Sequence, residues 1–258
     1  MRQNRVLIAV LVLGLLGSLG ILVIARSADR EPRPDDVAIR VNGVEVTFAE
    51  LELRRRAIDA GQSVTERFRA GEDFGMPPEV VKQQRMFADL FAPFEPRADD
   101  QTAFVADVIA NAAALATARE RGLDPTDAEL ESQTLTVALL RQQLLSSDIP
   151  ETGLARATFE AQIDALGDEM DAYLRLLARD GIARNALAHD LDLAPTELGV
   201  MPLILAMEAA DDAQIEIHPS LGVDVADVRA FLEAQSRSMR ALLTVQGAML
   251  PDAGLVDD

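Results

Sequence analysis

Cysteine and tryptophan are absent from this 258-residue chain, tyrosine occurs once and histidine twice. Without cysteine there is no disulfide framework, no thiolate ligand set for zinc or iron–sulfur, and no thiol nucleophile. A lipid-modified cysteine is excluded on the same ground. Positive charge is also scarce: 24 Lys and Arg stand against 43 Asp and Glu, a formal charge of −19. Nucleic-acid binding needs a basic surface to neutralise phosphates, and a field of this sign repels a polyanion. With only nine Phe and one Tyr, the core must be aliphatic, which favours helices over an all-β sandwich. At 49% hydrophobic and 26% charged, the composition is globular, enough for one or two packed cores.

What is present begins with an uncharged run from Val6 to Ala25, preceded by Arg2 and Arg5 and followed by Arg26. A helix of that length, at about 1.5 Å per residue, spans roughly 30 Å, the hydrocarbon thickness of a bilayer. The best cleavage-site candidate, Ala25-Arg26-Ser27, holds an arginine at its centre, so residues 1–26 are expected to be an uncleaved signal-anchor. Positive charges tie across the run, but the short tail before it suits an anchor that keeps the tail in the cytoplasm and exports the rest. The expected location is the cytoplasmic membrane, single-pass through residues 6–25, with the soluble part on the extracytoplasmic side. Residues 1–28 contain three arginines and no acid, so the chain beyond them carries −22. Residues 27–36 (SADREPRPDD) read as an extended linker.

Residues 37–47 (VAIRVNGVEVT) alternate on either side of Asn42-Gly43, the strongest two-residue hairpin signal, because both central positions of a type I′ turn need positive φ. Val37, Ile39 and Val41 should share a face that Arg40 opposes. Thr47 and Glu50 have capping-box spacing and open a helix to about Arg69, with a break possible at Gly61. A helix from Pro78 to Phe91 would show Val80, Val81, Met86, Phe87, Leu90 and Phe91 on its apolar face. Residues 100–121 form a small-residue helix stopped by Gly122, and a second capping box, Thr126 with Glu129, starts a helix to about Leu145. Further helices are expected near Leu154–Leu166, Glu169–Leu191 and Leu198–Ala210, the last with Pro202 in its first turn. Ala213–His218 reads as an isolated strand that needs the hairpin as its partner, and a final helix runs from Val225 to about Thr244. The fold class expected is mainly α: a membrane helix, then one helical domain over residues 37–245 with a small β-hairpin and one C-terminal strand folding back, then an acidic tail, 246–258.

The order strand, Asn-Gly, strand, capped helix (VAIRVNGVEVTFAELELRRR, residues 37–56), then ATARERGLDPTDAELE (116–131) and DAYLRLLARDGIARNALAHDL (171–191), resembles the N-terminal chaperone domain of the SurA, PrsA and PpiD group of extracytoplasmic folding factors. The likeness covers about residues 37–193. It implies a domain that binds unfolded or exported polypeptides and a C-terminal segment that folds back on the N-terminal unit, here Ala213–His218. Many members carry a parvulin prolyl-isomerase domain after this unit. The 67 residues beyond Leu191 contain one His, no Cys and no Tyr, so isomerase activity is not carried over. Residues 71–100 are longer than the family's pattern.

Candidate chemistry is sparse, and neither a catalytic residue nor a cofactor is expected. His189 with Asp190 and Asp192 sits at a helix end where the side chains do not converge, so it reads as a solvated terminus rather than a metal site. His218, before Pro219, reads as a strand-end residue. Ser146, Ser147 and Ser220 lack spaced His and Asp partners for a triad. The acidic pairs at 35–36, 99–100 and 211–212 suit helix caps better than calcium. What remains is binding by adaptable Met and Phe side chains. The client-binding candidates are Met76, Met86, Phe87, Phe91 and Phe94, with Met201 and Met207 further on; Phe231, Met239 and Met249 belong to the same C-terminal third. The same residues also suit ordinary core positions. The alternative function is a structural or assembly subunit holding one dedicated membrane-protein partner.

Overall fold

A computed structural model of the chain describes residues 32–91, 100–189, 191 and 200–249. The expected anchor at residues 1–26 lies outside the described residues, as do Phe94, Asp190, Asp192 and residues 250–258 of the tail. The element order is β1 (Val37–Val41), β2 (Val44–Thr47), α1 (Phe48–Arg69), α2 (Pro78–Phe91), α3 (Gln101–Glu120), α4 (Asp127–Leu145), α5 (Gly153–Leu166), α6 (Met170–Leu187), α7 (Met201–Ala209), β3 (Ile215–Ile217) and α8 (Val225–Met249). The protein is mainly helical, with one small antiparallel sheet ordered β2-β1-β3.

The hairpin turns where expected: Asn42 at φ 45° and Gly43 at φ 82° supply the two positive torsions of a type I′ turn. Its free edge is covered by β3, with Ile39 opposite Ile217, Arg40 opposite Glu216 and Val41 opposite Ile215. The late strand therefore does return to the hairpin, across more than 160 residues of sequence. Arg229 of α8 fastens the approach to β3 by donating to the carbonyls of Asp211 and Ala213, at 2.5 and 2.7 Å. On the outer face Arg40 lies between Glu45 and Glu216, at 2.7 and 2.8 Å. This exposed triad is screened by water and sets register more than stability. The inner face buries Ile39, Val41, Val44 and Val46. The expected alternation slips at the start of β1, where a register shift between Val37 and Ile39 buries Ala38 and leaves Val37 half-buried.

Helix α3 is the centre of the molecule. Ala-rich and buried on almost every side, it packs against α6, α7, α8 and both hairpin strands. Its alanines let neighbouring backbones approach closely, while Phe104, Val105, Val108 and Ile109 fill the space between them. Each of these larger side chains contributes roughly 1.5–3 kcal/mol by leaving water. Among the described residues it is the one helix long and apolar enough to cross a membrane, but 78% of that stretch is buried inside the protein, which makes it a core helix.

Two smaller clusters flank this core. Leu53, Ala57, Leu166 and Tyr173 join α1 to α5 and α6, and Phe68, Met76 and Val81 join α1 to α2. Gly153, at the start of α5, permits the second: a Cβ there would collide with the carbonyl of Phe74. Phe74 itself has φ 52°, unusual for a bulky residue, and its ring lies 6.5 Å from that of Phe68 beneath Arg67.

Several local expectations need correction. Thr47 caps α1 by accepting from the Glu50 amide at 3.2 Å, but the Glu50 carboxylate does not reach back; it turns into the protein toward two arginines. The next two orphan amides of the helix are met by the end of the expected linker: Pro34 and Asp36 carbonyls accept from the amides of Ala49 and Phe48, at 2.9 and 3.1 Å. Residues 33–36 are thus a turn within the domain, not an extended leash. Helix α1 runs unbroken through Gly61. On α2, Val81 is buried and Val80 packs beside it, whereas Met86 is 60% exposed. Helix α6 stops at Leu187, short of Leu191, and α8 continues to Met249, past the expected domain end at 245. The Thr126–Glu129 box at the start of α4 is complete, and Asp100 caps α3 by accepting from Ala103 at 3.1 Å.

Candidate functional site

A cavity of about 280 Å³ opens where α1, α3, α6, α7 and α8 meet. That is roughly nine times the share of one water in liquid, enough for one or two side chains. Its floor is polar: Arg54 from α1, Asp107 and Asn111 from α3, and Asp180 and Arg184 from α6. Its walls are apolar: Ile58, Leu177, Leu203 and Leu232, with Met207 and Met239 facing the same space from α7 and α8.

The floor is held by buried charge. Arg54 is only 5% exposed and Asp180 only 2%. Arg54 Nη1 lies 2.7 Å from Asp180 Oδ2, a charge pair rather than an aligned hydrogen bond. Arg54 Nη2 donates to Glu50 Oε1 at 3.0 Å, and Arg179 Nη2 donates to the same oxygen at 2.6 Å. Arg179 also reaches Asp180 Oδ1 at 3.3 Å. Burial works against the charge of Arg54, but Asp180 first, then Glu50 and Asp107, outweigh it and hold the guanidinium above its ordinary value. An arginine so placed stays charged, so removing either partner would leave an uncompensated ion indoors.

Asp107 is different. Among the described residues it accepts one hydrogen bond, from Asn111 Nδ2 at 3.3 Å. Burial pushes its carboxyl up, and Arg54 and Arg184 offset this in part. Arg184 lines the same floor without a hydrogen-bond or ion-pair partner among the described residues. Counting Glu50 and Arg179 behind it, the floor contains three cations and three anions. It therefore presents fixed dipoles and no net charge to whatever enters.

The sequence-expected binding residues do not converge as a set. Met207 is at the cavity, and Met239, from the same C-terminal group, meets it there. Met201 and Phe231 are half-buried against the main core. Met76 is buried in the small Phe68 cluster, and Met86 is in solvent. Phe87 and Phe91 belong to α2 by backbone, but their side chains, like that of Met249, lie outside the described residues. Of the two histidines, His189 lies exposed just past α6, and His218 follows β3, where its ring meets Phe48 edge-on at 5.2 Å and its Nδ1 accepts from the Ser220 amide at 3.2 Å. Among the described residues no three His, Cys, Asp or Glu side chains come together as metal ligands. The polar floor was missed from the sequence, although a signal existed. Between Ala103 and Ala116, Asp107 and Asn111 are the only polar residues, one helical turn apart in an otherwise apolar run.

Comparison with protein-family models, with curated proteins and with solved structures finds no match to the chain.

Two outcomes follow from this geometry. A capping box tolerates glutamine in place of glutamate, but Glu50 here neutralises two arginines. Glu50→Gln should therefore lower the unfolding free energy by roughly 1.5–3 kcal/mol in urea titration, the range for hydrogen bonds to charged groups. For Asp107, a folded-state pKa above its unfolded value of 3.8 means that ionisation costs stability, a cost absent below pH 3.8 and incurred as pH rises through the folded value. Asp107→Asn should be more stable than the parent at pH 7, with the difference closing as the melt is repeated toward pH 4.

Proposed function

We propose that the chain is a membrane-anchored, extracytoplasmic chaperone-like protein that binds unfolded or exported polypeptides and has no isomerase activity. The observation that carries this reading is the cavity, with methionine and aliphatic walls over a charge-balanced floor. Met207 and Met239 are unbranched and polarisable, so they can re-pack around apolar side chains of different shape. The floor carries no net charge to favour a charged metabolite of either sign. A peptide group suits it better, because its N–H can donate to Asp107 while its C=O accepts from Arg184. An entering segment would bury an aliphatic side chain between the methionines and satisfy its backbone against the floor.

The sequence adds independent support. The apolar run 6–25 is long enough to anchor the chain. The likeness of the hairpin and capped-helix order to the SurA, PrsA and PpiD group implies a fold-back C-terminal segment, and a β3 paired to β1 fits that expectation. An acidic surface keeps such a domain soluble while its binding site remains apolar.

Residues 29–258, purified, should suppress aggregation of a reduced, unfolded client at micromolar concentration. Ala110→Leu, which places three more carbons in the cavity, should weaken client binding about tenfold, the equivalent of 1.4 kcal/mol, while leaving the circular dichroism spectrum unchanged. No binding of unfolded polypeptide at micromolar concentration contradicts the proposal, and crosslinking in membranes to one stoichiometric partner instead of many favours the dedicated-subunit alternative.

A further inference from the structure

Helix α4 is the one described helix of its length with no fully buried residue. Its inner face, including Leu130, Val137 and Leu144, is half-buried against α5 and α6. On the outer face Leu135 and Leu139 are one turn apart and 59% and 51% exposed, and Leu140 at its edge is 60% exposed. Ile149, just beyond the helix, is 56% exposed. Leucines this open are not needed for the fold of α4, and clustered apolar exposure marks a contact surface.

The charge distribution identifies the occupant. From Ser132 to Ser147 the only ionisable side chain is Arg141. It is turned inward, stacked 3.9 Å over the Phe159 ring with its Nη1 3.4 Å from Met170 Sδ, and burial pulls its pKa down to about 10. What faces solvent beside the leucines is Gln133, Thr136, Gln142 and Gln143. In a chain of formal charge −19, an outward strip about four turns long is therefore neutral. A basic partner would be drawn to the acidic surfaces elsewhere, whereas a second copy, acidic itself, meets the least repulsion along an uncharged strip. Self-docking about a two-fold axis also requires a surface complementary to itself. Leucine meets leucine without cost, and a glutamine amide, both donor and acceptor, can bond another glutamine.

We propose that the outward face of α4 is a self-association surface on which a second copy of this chain docks, helix against helix, around Leu135 and Leu139. The two cavities then remain open, since α4 does not line them.

The absence of cysteine makes the test direct. The full chain in detergent micelles is prepared with Leu139→Cys or, on the exposed face of α8, Glu233→Cys. Mild oxidation should convert most of the Leu139→Cys chains to disulfide-linked dimers and leave Glu233→Cys monomeric. The Leu135→Glu/Leu139→Glu variant should show about half the protein mass per particle of the parent by light scattering, with an unchanged helical spectrum. A parent with one chain per micelle, equal crosslinking at 139 and 233, or a dimer that survives both glutamates would each overturn the proposal. So would a Leu139→Cys thiol protected only when unfolded polypeptide is added, which would make the face a client site.

Discussion

A permanently charged arginine sealed inside the protein is the constraint on which the rest of this structure depends. Arg54 cannot shed its proton, and desolvating a lone guanidinium costs several kcal/mol. The fold must therefore bring acids to it: Glu50 from the same helix and Asp180 from α6, more than 120 residues later. Arg179 then bridges the two acids from the far side. This network fixes α6 against the first turns of α1 with a specificity that interchangeable aliphatic contacts lack. Glu50 serves here instead of in a capping box, while the amides of the first turn of α1 are met by the Thr47 hydroxyl and by the Pro34 and Asp36 carbonyls. One buried ion thus sets how α1 packs against α6.

The same network explains why a cavity can persist in the interior. An apolar hollow of this size in an aliphatic core would tend to collapse, each relaxation recovering lost packing. Arg54 and Asp180 resist that collapse because their geometry is held by paired charges, and Asp107 and Arg184 face the opening rather than each other at bonding distance. Above this fixed floor lie Met207 and Met239 on α7 and α8. Helix α8 is tied to α7 by Arg240, which donates to both carboxylate oxygens of Glu208 at 2.8 Å. The cavity thus combines a rigid polar base with deformable walls, the combination on which the proposed binding of varied apolar segments relies.

Much of this was legible in the sequence, for local reasons. Asn42-Gly43, the Thr126 box, the Asp100 cap and the Pro202 helix start are all short-range signals whose chemistry acts within one turn. The pairing of β3 with β1 was legible by elimination, because a lone strand must find an edge and the hairpin offered one. What escaped was the meaning of polar residues whose partners are remote. Glu50 sits at capping-box spacing, and only Asp180 and Arg179, far along the chain, show why it turns inward. Met76 and Met86 look alike in composition, yet one is sealed against Phe68 and the start of α5 and the other is in water. Arg141 reads as an ordinary surface arginine on α4 until the Phe159 and Tyr173 rings are placed beneath it.

Arg54 and Asp180 act as one unit that positions α1 against α6 and supports the cavity. A double-mutant cycle on the chain without its apolar N-terminal run tests it most directly, using Arg54→Met, Asp180→Leu and the pair, each followed by urea unfolding. Each single replacement should cost about 3–5 kcal/mol, because it strands a buried charge. The pair should cost less than the two together, giving a coupling of about 2–3 kcal/mol. Additivity within about 0.5 kcal/mol would show that the two charges are independent and would contradict the account.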